Sequence, residues 1–370
     1  MVKILRIKDI VDTISLTHKF NKDMLIAINT SDVENGVMHE GTLTLVQDLK
    51  GQFKKTIKKN DILYSEIRPA NRRFALVTKD DCSDYVVSTK LMVLRKKNKD
   101  VDLKYLYYCL TNQPFLDMLQ RRAENRIGSF PQITFDLLSE YAFYIPLLEE
   151  QKRISNVISF IDRKIELNKR INDNLEEQLR LITSRYIFGC PNLEKKRIGE
   201  IATVKAGGDC PITFSKTRTQ KCNIPIFSNG TEDRGLYGFT NKANIEGHSI
   251  TVAARGTIGY CERRLMPFVP IIRLLAITPK EDGAYIYLHQ VIRGMKFKKN
   301  GSVQQQLTVP EISFIEIPYP HSSILYEYNK VASPIVEMIE RNISENEILT
   351  KQRDELLPLL MNGQAVVNSD

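Results

Sequence analysis

Basic and amide side chains gather in two stretches of the chain, and their chemistry suits contact with duplex nucleic acid. Lysine offers a point cation for a phosphate, arginine can donate two hydrogen bonds to guanine, and asparagine or glutamine can pair with adenine. The first stretch supplies Lys54, Lys55, Lys58, Arg68, Asn71, Arg72 and Arg73. The second supplies Lys216, Arg218, Arg255, Arg263, Arg264, Lys298, Lys299 and Gln304. We expect the base-contacting members to be Arg68, Asn71, Arg72, Arg255 and Gln304. The simpler interpretation of any one of them is a solvated surface side chain.

Residues for covalent or metal chemistry do not occur in a recognisable pattern. The six cysteines and five histidines are scattered, without the C-x-x-C spacing of a structural zinc site. The sequence has neither the G-x-x-x-x-G-K-[ST] loop for ATP nor an N-P-P-Y-like motif for a flipped adenine. Gly207-Gly208 and Gly256 to Gly259 could cradle a phosphate, but a turn is the simpler interpretation. We therefore predict a non-catalytic chain with no metal and no cofactor of its own.

The overall charge points to an acidic partner. A net charge of +9 is usual for a protein that binds nucleic acid, although many basic proteins bind none. No run of 18 apolar residues and no signal-peptide core occur, and the scattered cysteines suit a reducing compartment. These features predict a cytoplasmic protein with a nucleic acid, either DNA or RNA, as the leading candidate partner.

Residues 149 to 188 have the spacing of a coiled-coil helix. Apolar residues recur in steps of four and three, a narrow stripe that is typical of a helix–helix seam. Two asparagines interrupt the stripe, and a seam asparagine lowers stability but fixes register and partner orientation. The predicted seam consists of Ile154, Ile158, Ile161, Ile165, Asn168, Asn172, Leu175, Leu179 and Ile182.

A second copy of this pattern lies near the C-terminus. Adding 174 to Asn168 and Asn172 gives Asn342 and Asn346, so both seam asparagines recur in phase. The alternative to a repeat is that the two segments are unrelated amphipathic helices. The second seam is predicted to contain Ile335, Asn342, Asn346, Leu349 and Leu356. We expect the two helices to pack as an antiparallel coiled coil.

The rest of the sequence predicts two α/β domains that alternate with the two helices. Strand-like segments recur on both sides of the first helix, and Thr134 maps onto Thr308 by the same shift. The predicted order is a first domain at 1–146, a central helical spacer at 147–188, a second domain at 189–320, and a distal spacer with its tail at 321–370. This is an α+β architecture with pseudo-two-fold symmetry. Pro334 predicts a kink or a restart in the distal spacer, and Pro358 a further disturbance.

Four motifs carry a resemblance to a known family. They are P-L-L-E-E-Q-K-R-I with I-D-x-K-I-E-L-N-K-R-I-N at 146–172, I-P-I-F-S-N-G at 224–230, A-A-R-G-T-I-G at 253–259, and T-K-Q-R-D-E-L-L-P-L-L-M-N-G at 350–363. Together they resemble the DNA-specificity subunit of type I restriction–modification enzymes, over essentially the whole chain. The resemblance implies two target-recognition domains, each of which reads one half of a bipartite DNA site, and two helical spacers.

The resemblance also implies partner subunits. The spacers would carry two copies of an adenine-N6 methyltransferase subunit that uses S-adenosylmethionine, and a nuclease subunit that uses ATP and Mg²⁺ could join them. Two alternatives remain open from the residues alone. One is a free-standing nuclease with duplicated domains, and the other is a coiled-coil adaptor with no role on DNA.

Overall fold

The chain folds into two compact units. The computed structural model describes residues 3–49, 51–125, 131–190, 193–297 and 306–365, together with Val367. The first unit comprises Met1–Leu167 with Glu345–Asp370, and the second comprises Asn168–Ser344. Both boundaries fall inside long helices, so each unit contains one segment of each helix.

Two four-stranded sheets form the frame of the first unit. Its elements are β1 (Lys3–Arg6), α1 (Ile7–Ile10), β2 (Val11–Thr13), β3 (Met24–Ile28), β4 (Val33–Glu34), β5 (Val37–Met38), β6 (Thr42–Leu45), β7 (Phe53–Lys55), β8 (Ile62–Ser65), β9 (Phe74–Leu76), β10 (Tyr85–Ser88), β11 (Leu91–Lys96), α2 (Leu103–Thr111), α3 (Gln113–Glu124), α4 (Phe135–Ser139) and β12 (Ala142–Ile145). One sheet has the order β6-β3-β10-β7 and the other β2-β11-β8-β9. Strands β3 and β10 are parallel, while β8 lies antiparallel between β11 and β9.

The second unit repeats this plan with a four-stranded and a three-stranded sheet. Its elements are β13 (Glu194–Arg197), α6 (Ile198–Ile201), β14 (Ala202–Ala206), β15 (Ile224–Phe227), β16 (Leu236–Thr240), β17 (Ser249–Val252), β18 (Cys261–Arg264), β19 (Val269–Pro270), β20 (Leu275–Pro279), α7 (Ala284–Arg293), α8 (Val309–Ser313) and β21 (Glu316–Tyr319). One sheet has the order β14-β20-β17-β18 and the other β16-β15-β19. Strand β17 therefore takes the place that β8 takes in the first unit.

Two long helices, α5 (Leu148–Thr183) and α9 (Ser322–Met361), are the predicted spacers. We call them the central helix and the distal helix. Ser184–Phe188 extends the central helix by one π-helical turn. In the second unit Asn172 contacts Asn342, while Thr183 contacts Tyr328. As the residue number increases along the central helix, the residue that it contacts on the distal helix has a lower number, so the two segments run antiparallel there. The same holds in the first unit, where Ile165 contacts Asn346 and Asp162 contacts Arg353.

The predicted restart at Pro334 is wrong, because the distal helix runs without a break from Ser322 to Met361 and passes both prolines. A proline removes its own N–H from the helical ladder and its ring crowds the carbonyl four residues earlier, so other contacts must hold the helix there. The turns around Pro334 are held by buried side chains, since Ala332 and Val336 are both fully buried in the core of the second unit.

The helix ends belong to the cores of the two units. Ile154 and Ile158 of the central helix share the first core with the buried Tyr105, and Leu357 of the distal helix packs into the same cluster. All nine predicted seam residues of the central helix are buried or half-buried. On the distal helix Leu356 is 37% exposed, whereas its neighbour Leu357 is only 5% exposed. Leu357 therefore takes the inward position that the spacing predicted for Leu356.

Candidate nucleic-acid interface

A basic turn follows strand β8 in the first unit. Pro69–Asn71 forms a 3-10 turn, and Arg68 and Arg72 flank it with φ angles of 47° and 53°. A non-glycine residue in this left-handed region is uncommon, and such backbone strain clusters at functional sites. Arg68 and Asn71 are exposed at this turn. The structure therefore brings together two residues that the sequence predicted as base-contacting.

The other two arginines of this turn are partly engaged inside the unit. The Arg72 guanidinium donates to Oδ1 of Asn35 at 2.8 Å and to Oε1 of Gln113 at 2.5 Å. Burial, followed by the charge of Arg353, lowers the pKa of Arg72. Arg73 donates to the carbonyl oxygen of Thr30 at 2.7 Å. Both are half-buried, so they support the turn as well as contributing charge.

The lysines of the first stretch separate into exposed and internal members. Lys54 and Lys58 are exposed. Lys55 instead donates to the carbonyl oxygens of Thr89 and Leu91 at 2.9 and 2.8 Å, and burial lowers its pKa. Lys55 thus holds a neighbouring loop in place.

Strand β17 of the second unit leads to Arg255, as β8 leads to Arg68 in the first. The exposed Arg255 guanidinium donates twice to Oε1 of Gln306, at 2.6 and 3.0 Å. The preceding residue, Ala254, donates its N–H to Oδ1 of Asn229 at 2.8 Å. Gly256 follows with a φ of 68° and turns the chain. The glycine stretch from Gly256 therefore shapes the Arg255 turn.

Two successive segments of the chain match a known family in sequence. Residues 2–177 and 192–357 each match the family model described as type I restriction modification DNA specificity domain. The chain belongs to this specificity family. It is 29% identical to the type I restriction enzyme HindI specificity subunit of Haemophilus influenzae, over 96% of this chain and 98% of that one. A putative type I specificity subunit of Mycoplasma pneumoniae is 27% identical, over 75% of this chain and 87% of its own length.

A solved structure of the specificity family supports the fold. The S subunit of a type I restriction–modification system from M. genitalium superposes with a TM-score of 0.57 at 17% identity. The alignment covers 100% of this chain and 97% of that one. The predicted fold class and the prediction of a non-catalytic specificity subunit are confirmed, and nothing supports the nuclease alternative.

Two further predicted contact residues of this specificity-family chain lie in the interior. Arg263 and Arg264 are 4% and 6% exposed. Arg263 pairs with Glu176 of the central helix and donates to Nδ1 of His289 at 3.0 Å. Arg264 stacks on the ring of Phe227, 3.6 Å from its centroid, and burial lowers its pKa to about 10. Neither side chain belongs to the surface of the second unit.

The remaining predicted contact residues of the second unit are exposed or lie outside the described residues. Lys216 is exposed and lies over the rings of Tyr237 and Phe214, at 4.4 and 5.7 Å from their centroids. Arg218 is also exposed and approaches the carbonyl oxygen of Asn223 at 3.4 Å. Lys298, Lys299 and Gln304 lie outside the described residues.

Sequence reasoning missed Arg234, which joins the second domain to the distal helix. Its guanidinium donates to Glu262 at 2.8 Å and to Glu340 of the distal helix at 3.0 Å. Burial alone would lower the pKa of Arg234, but the two carboxylates outweigh it and raise the pKa. The residue lies just beyond the S-N-G motif, and only its neighbours in space reveal its role.

Sequence reasoning also missed Gln151, because its role depends on neighbours that only the fold brings together. Its side chain is fully buried at the start of the central helix. It accepts from the N–H of Asp102 at 2.7 Å and donates to the carbonyl oxygens of Asp100 and Pro146 at 2.9 and 2.8 Å. Gln151 therefore fixes the angle at which this helix leaves the first domain.

The described part of the chain offers no site for a bound metal, since no three of its histidine, cysteine and acidic side chains are grouped to hold one. Among the same residues, no helix is long and apolar enough to cross a membrane.

Proposed function

We propose that each α/β domain of this chain reads one half of a bipartite double-stranded DNA site. Membership of the specificity family carries this proposal. The structure supports it through the turns after β8 and β17, which present Arg68 and Arg255 at equivalent places in the two sheets. An exposed arginine can read guanine with two parallel hydrogen bonds.

The phosphate contacts would come from the exposed lysines and arginines around these turns. A protein gains sequence-independent affinity by neutralising phosphates, and the net charge of +9 supplies that attraction. Lys54, Lys58, Lys216 and Arg218 are exposed members of this set. The different residues in the two units imply two different half-sites and hence a non-palindromic target.

The two helices would carry two copies of an adenine-N6 methyltransferase subunit. Outward-facing apolar side chains on both helices support this, and one of them recurs in both halves. Val157 and Phe160 of the central helix are 36% and 70% exposed, and Val331 and Met338 of the distal helix are 39% and 45% exposed. Adding 174 to Val157 gives Val331. Exposed apolar patches of this kind mark interaction surfaces.

The chemistry would belong to the partners in the cytoplasm, where the host DNA lies. The methyltransferase subunits would bind S-adenosylmethionine, and a nuclease subunit, where present, would bind ATP and Mg²⁺. This chain would place them on the target by holding the DNA and the helices in one complex.

The test is to express this chain with its methyltransferase subunit and to map N6-methyladenine across the host DNA. A split motif with a spacer of fixed length, lost when this chain is deleted, is the expected result. A single palindromic motif would contradict the two-half-site proposal, and methylation that is independent of this chain would overturn the proposed function.

A further inference from the structure

The connection between β19 and β20 presents two consecutive strained residues. Ile272 and Arg273 have φ angles of 54° and 64°, and both side chains are exposed. A β-branched residue such as isoleucine is a clear outlier in this left-handed region. The second unit has glycine at some left-handed positions, such as Gly256 and Gly283, and other residues at Asp233, Arg234 and His248 as well as here.

Surrounding groups hold these two residues, which we call the 272–273 tip. The N–H groups of Ile272 and Arg273 donate to the carbonyl oxygens of Gly208 and Gly207, at 2.9 and 3.1 Å. A side chain at Gly207 would come within 2.6 Å of the backbone of Pro270, so the glycine allows this close approach. The glycine pair that could have cradled a phosphate instead supports the tip.

Asn229 links the tip to the Arg255 turn. Its amide nitrogen donates to the carbonyl oxygen of Ile272 at 2.6 Å, while its Oδ1 accepts from the N–H of Ala254 at 2.8 Å. Ala254 precedes Arg255. One asparagine side chain therefore bridges the tip and the base of the arginine turn, and the two form a single surface.

The first unit has a basic tip at the same place in its fold. Strand β10 is parallel to β3, as β19 is to β15, and β11 is antiparallel to β8, as β20 is to β17. The connection from β10 to β11 carries the exposed Lys90, whose carbonyl oxygen accepts from the N–H of Glu66 at 3.0 Å. Glu66 precedes the Arg68 turn by two residues. A basic tip beside an arginine turn thus occurs in both units.

We propose that Arg273 reads a base edge in the half-site bound by the second domain, beside Arg255, and that Asn229 is the residue that positions it. This inference rests on the proposed function. Within the described residues the Arg273 guanidinium has no hydrogen-bond or ion-pair partner, so its donors face outward without an internal role. A rigid, strained backbone orients the guanidinium in a way that a flexible loop would not, and orientation matters for base readout more than for phosphate contact.

The opposing interpretation is an ordinary solvated arginine that happens to lie in a tight turn. A turn that served only to connect two strands would be relieved of strain by glycine at either position. The strain at Ile272 and Arg273 is instead maintained by three hydrogen bonds, from their own N–H groups and from Asn229. The conformation is therefore fixed by Gly207, Gly208 and Asn229, which lie outside the turn.

The experiment compares methylation motifs from full-length variants co-expressed with the methyltransferase subunit. The variants are Arg273→Ala, Arg273→Lys and Arg273→Gly, with Arg197→Ala as the control. Arg197 is an exposed arginine on β13, in the two-stranded sheet with β21. The glycine variant removes the guanidinium while relieving the left-handed backbone, so a loss of function there does not come from added strain.

All three Arg273 variants should relax the motif at one position of one half-site, by about tenfold or more in discrimination, while the other half-site stays unchanged. The lysine variant keeps the positive charge but loses the paired donors of the guanidinium. It therefore distinguishes base readout, which needs the paired donors, from phosphate contact, which needs only the charge. Asn229→Ala should lower the discrimination at the same half-site by a smaller factor. An unchanged motif would overturn the proposal, as would methylation that falls equally at every sequence.

The wild type distinguishes this failure from failure of the proposed function. If the wild type gives a split motif that the Arg273 variants do not alter, only the Arg273 proposal falls. If the wild type gives no split motif, both proposals fall. Circular dichroism melts of Arg273→Ala and Arg273→Lys should match the wild type, because Arg273 is exposed.

Discussion

The side-chain amide of Asn172 donates to the carbonyl oxygen of Ile339 at 3.2 Å in the second unit. In the first unit, Asn346 donates to the carbonyl oxygen of Ile165 at 3.3 Å. Adding 174 to Asn172 and to Ile165 gives Asn346 and Ile339, so one contact is the repeat of the other with donor and acceptor helices exchanged. The duplication seen in the sequence therefore persists at the level of single hydrogen bonds.

Asn172→Ala should lower the free energy of unfolding by about 1 kcal/mol, because its Oδ1 also accepts from Asn342 and that donor would lose its partner. Denaturant unfolding followed by circular dichroism measures the change. Asn174→Ala is the control, since Asn174 is an exposed neighbour on the same helix. Equal effects of the two substitutions would show that the seam hydrogen bonds do not contribute.

The neighbours Leu356 and Leu357 should respond very differently to truncation. Leu357→Ala removes a side chain that is 5% exposed and should cost about 2–4 kcal/mol, as expected for a buried leucine. Leu356→Ala removes one that is 37% exposed and should cost less than about 1 kcal/mol. Thermal melts of the pair compare them directly, and the reverse order would contradict the inward position of Leu357.

Gln151→Ala should destabilise the first unit by about 1–3 kcal/mol, because it leaves three buried or part-buried backbone groups without their side-chain partner. Gln178→Ala on the same helix is the matched control, because Gln178 is exposed. Urea unfolding of both variants tests this prediction. A normal midpoint for Gln151→Ala would mean that water replaces the side chain without cost.

Arg234→Met should destabilise the second unit by about 3–5 kcal/mol, because Glu262 and Glu340 would remain as partly buried charges without their cation. Arg293→Met removes a 53% exposed arginine from Glu176 and should cost less than about 1 kcal/mol. Unfolding midpoints of the two variants give the comparison. Adding Glu262→Gln to Arg234→Met should recover part of the loss, and no recovery would argue against charge as the cause.

His289 should make the second unit less stable in mild acid. It is 3% exposed, and its Nδ1 accepts from Arg263, so the ring is neutral in the fold. Burial, followed by the charge of Arg263, holds its pKa well below the usual value. The unfolded histidine takes up a proton below pH of about 6.5 and the folded one does not, so stability present at pH 7.5 is lost as the pH falls to 5.5.

The control for this pH dependence is His289→Gln, which cannot titrate. Melting temperatures of both proteins between pH 7.5 and 5.5 should converge as the pH falls, because only the wild type has a histidine at this position that is protonated on unfolding and so loses stability in acid. Parallel curves would show that the pH dependence comes from other groups.

The sequence alone predicted the architecture, because a helix seam and a duplicated domain are local or periodic patterns. Steps of three and four identify a seam wherever it lies, and a constant shift of 174 identifies the repeat. The exposed turns at Arg68 and Arg255 were also predictable, since each arginine lies three residues after the end of a buried strand.

Which arginines face outward was decided by the tertiary structure. Arg263 is buried because Glu176, 87 residues away in the chain, supplies its counter-charge, and no local pattern reveals such a partner. The tip at Ile272 and Arg273 depends likewise on Gly207, Gly208 and Asn229 from two other segments. Periodicity is a property of neighbours along the chain, whereas burial of a charge depends on groups that only folding brings together.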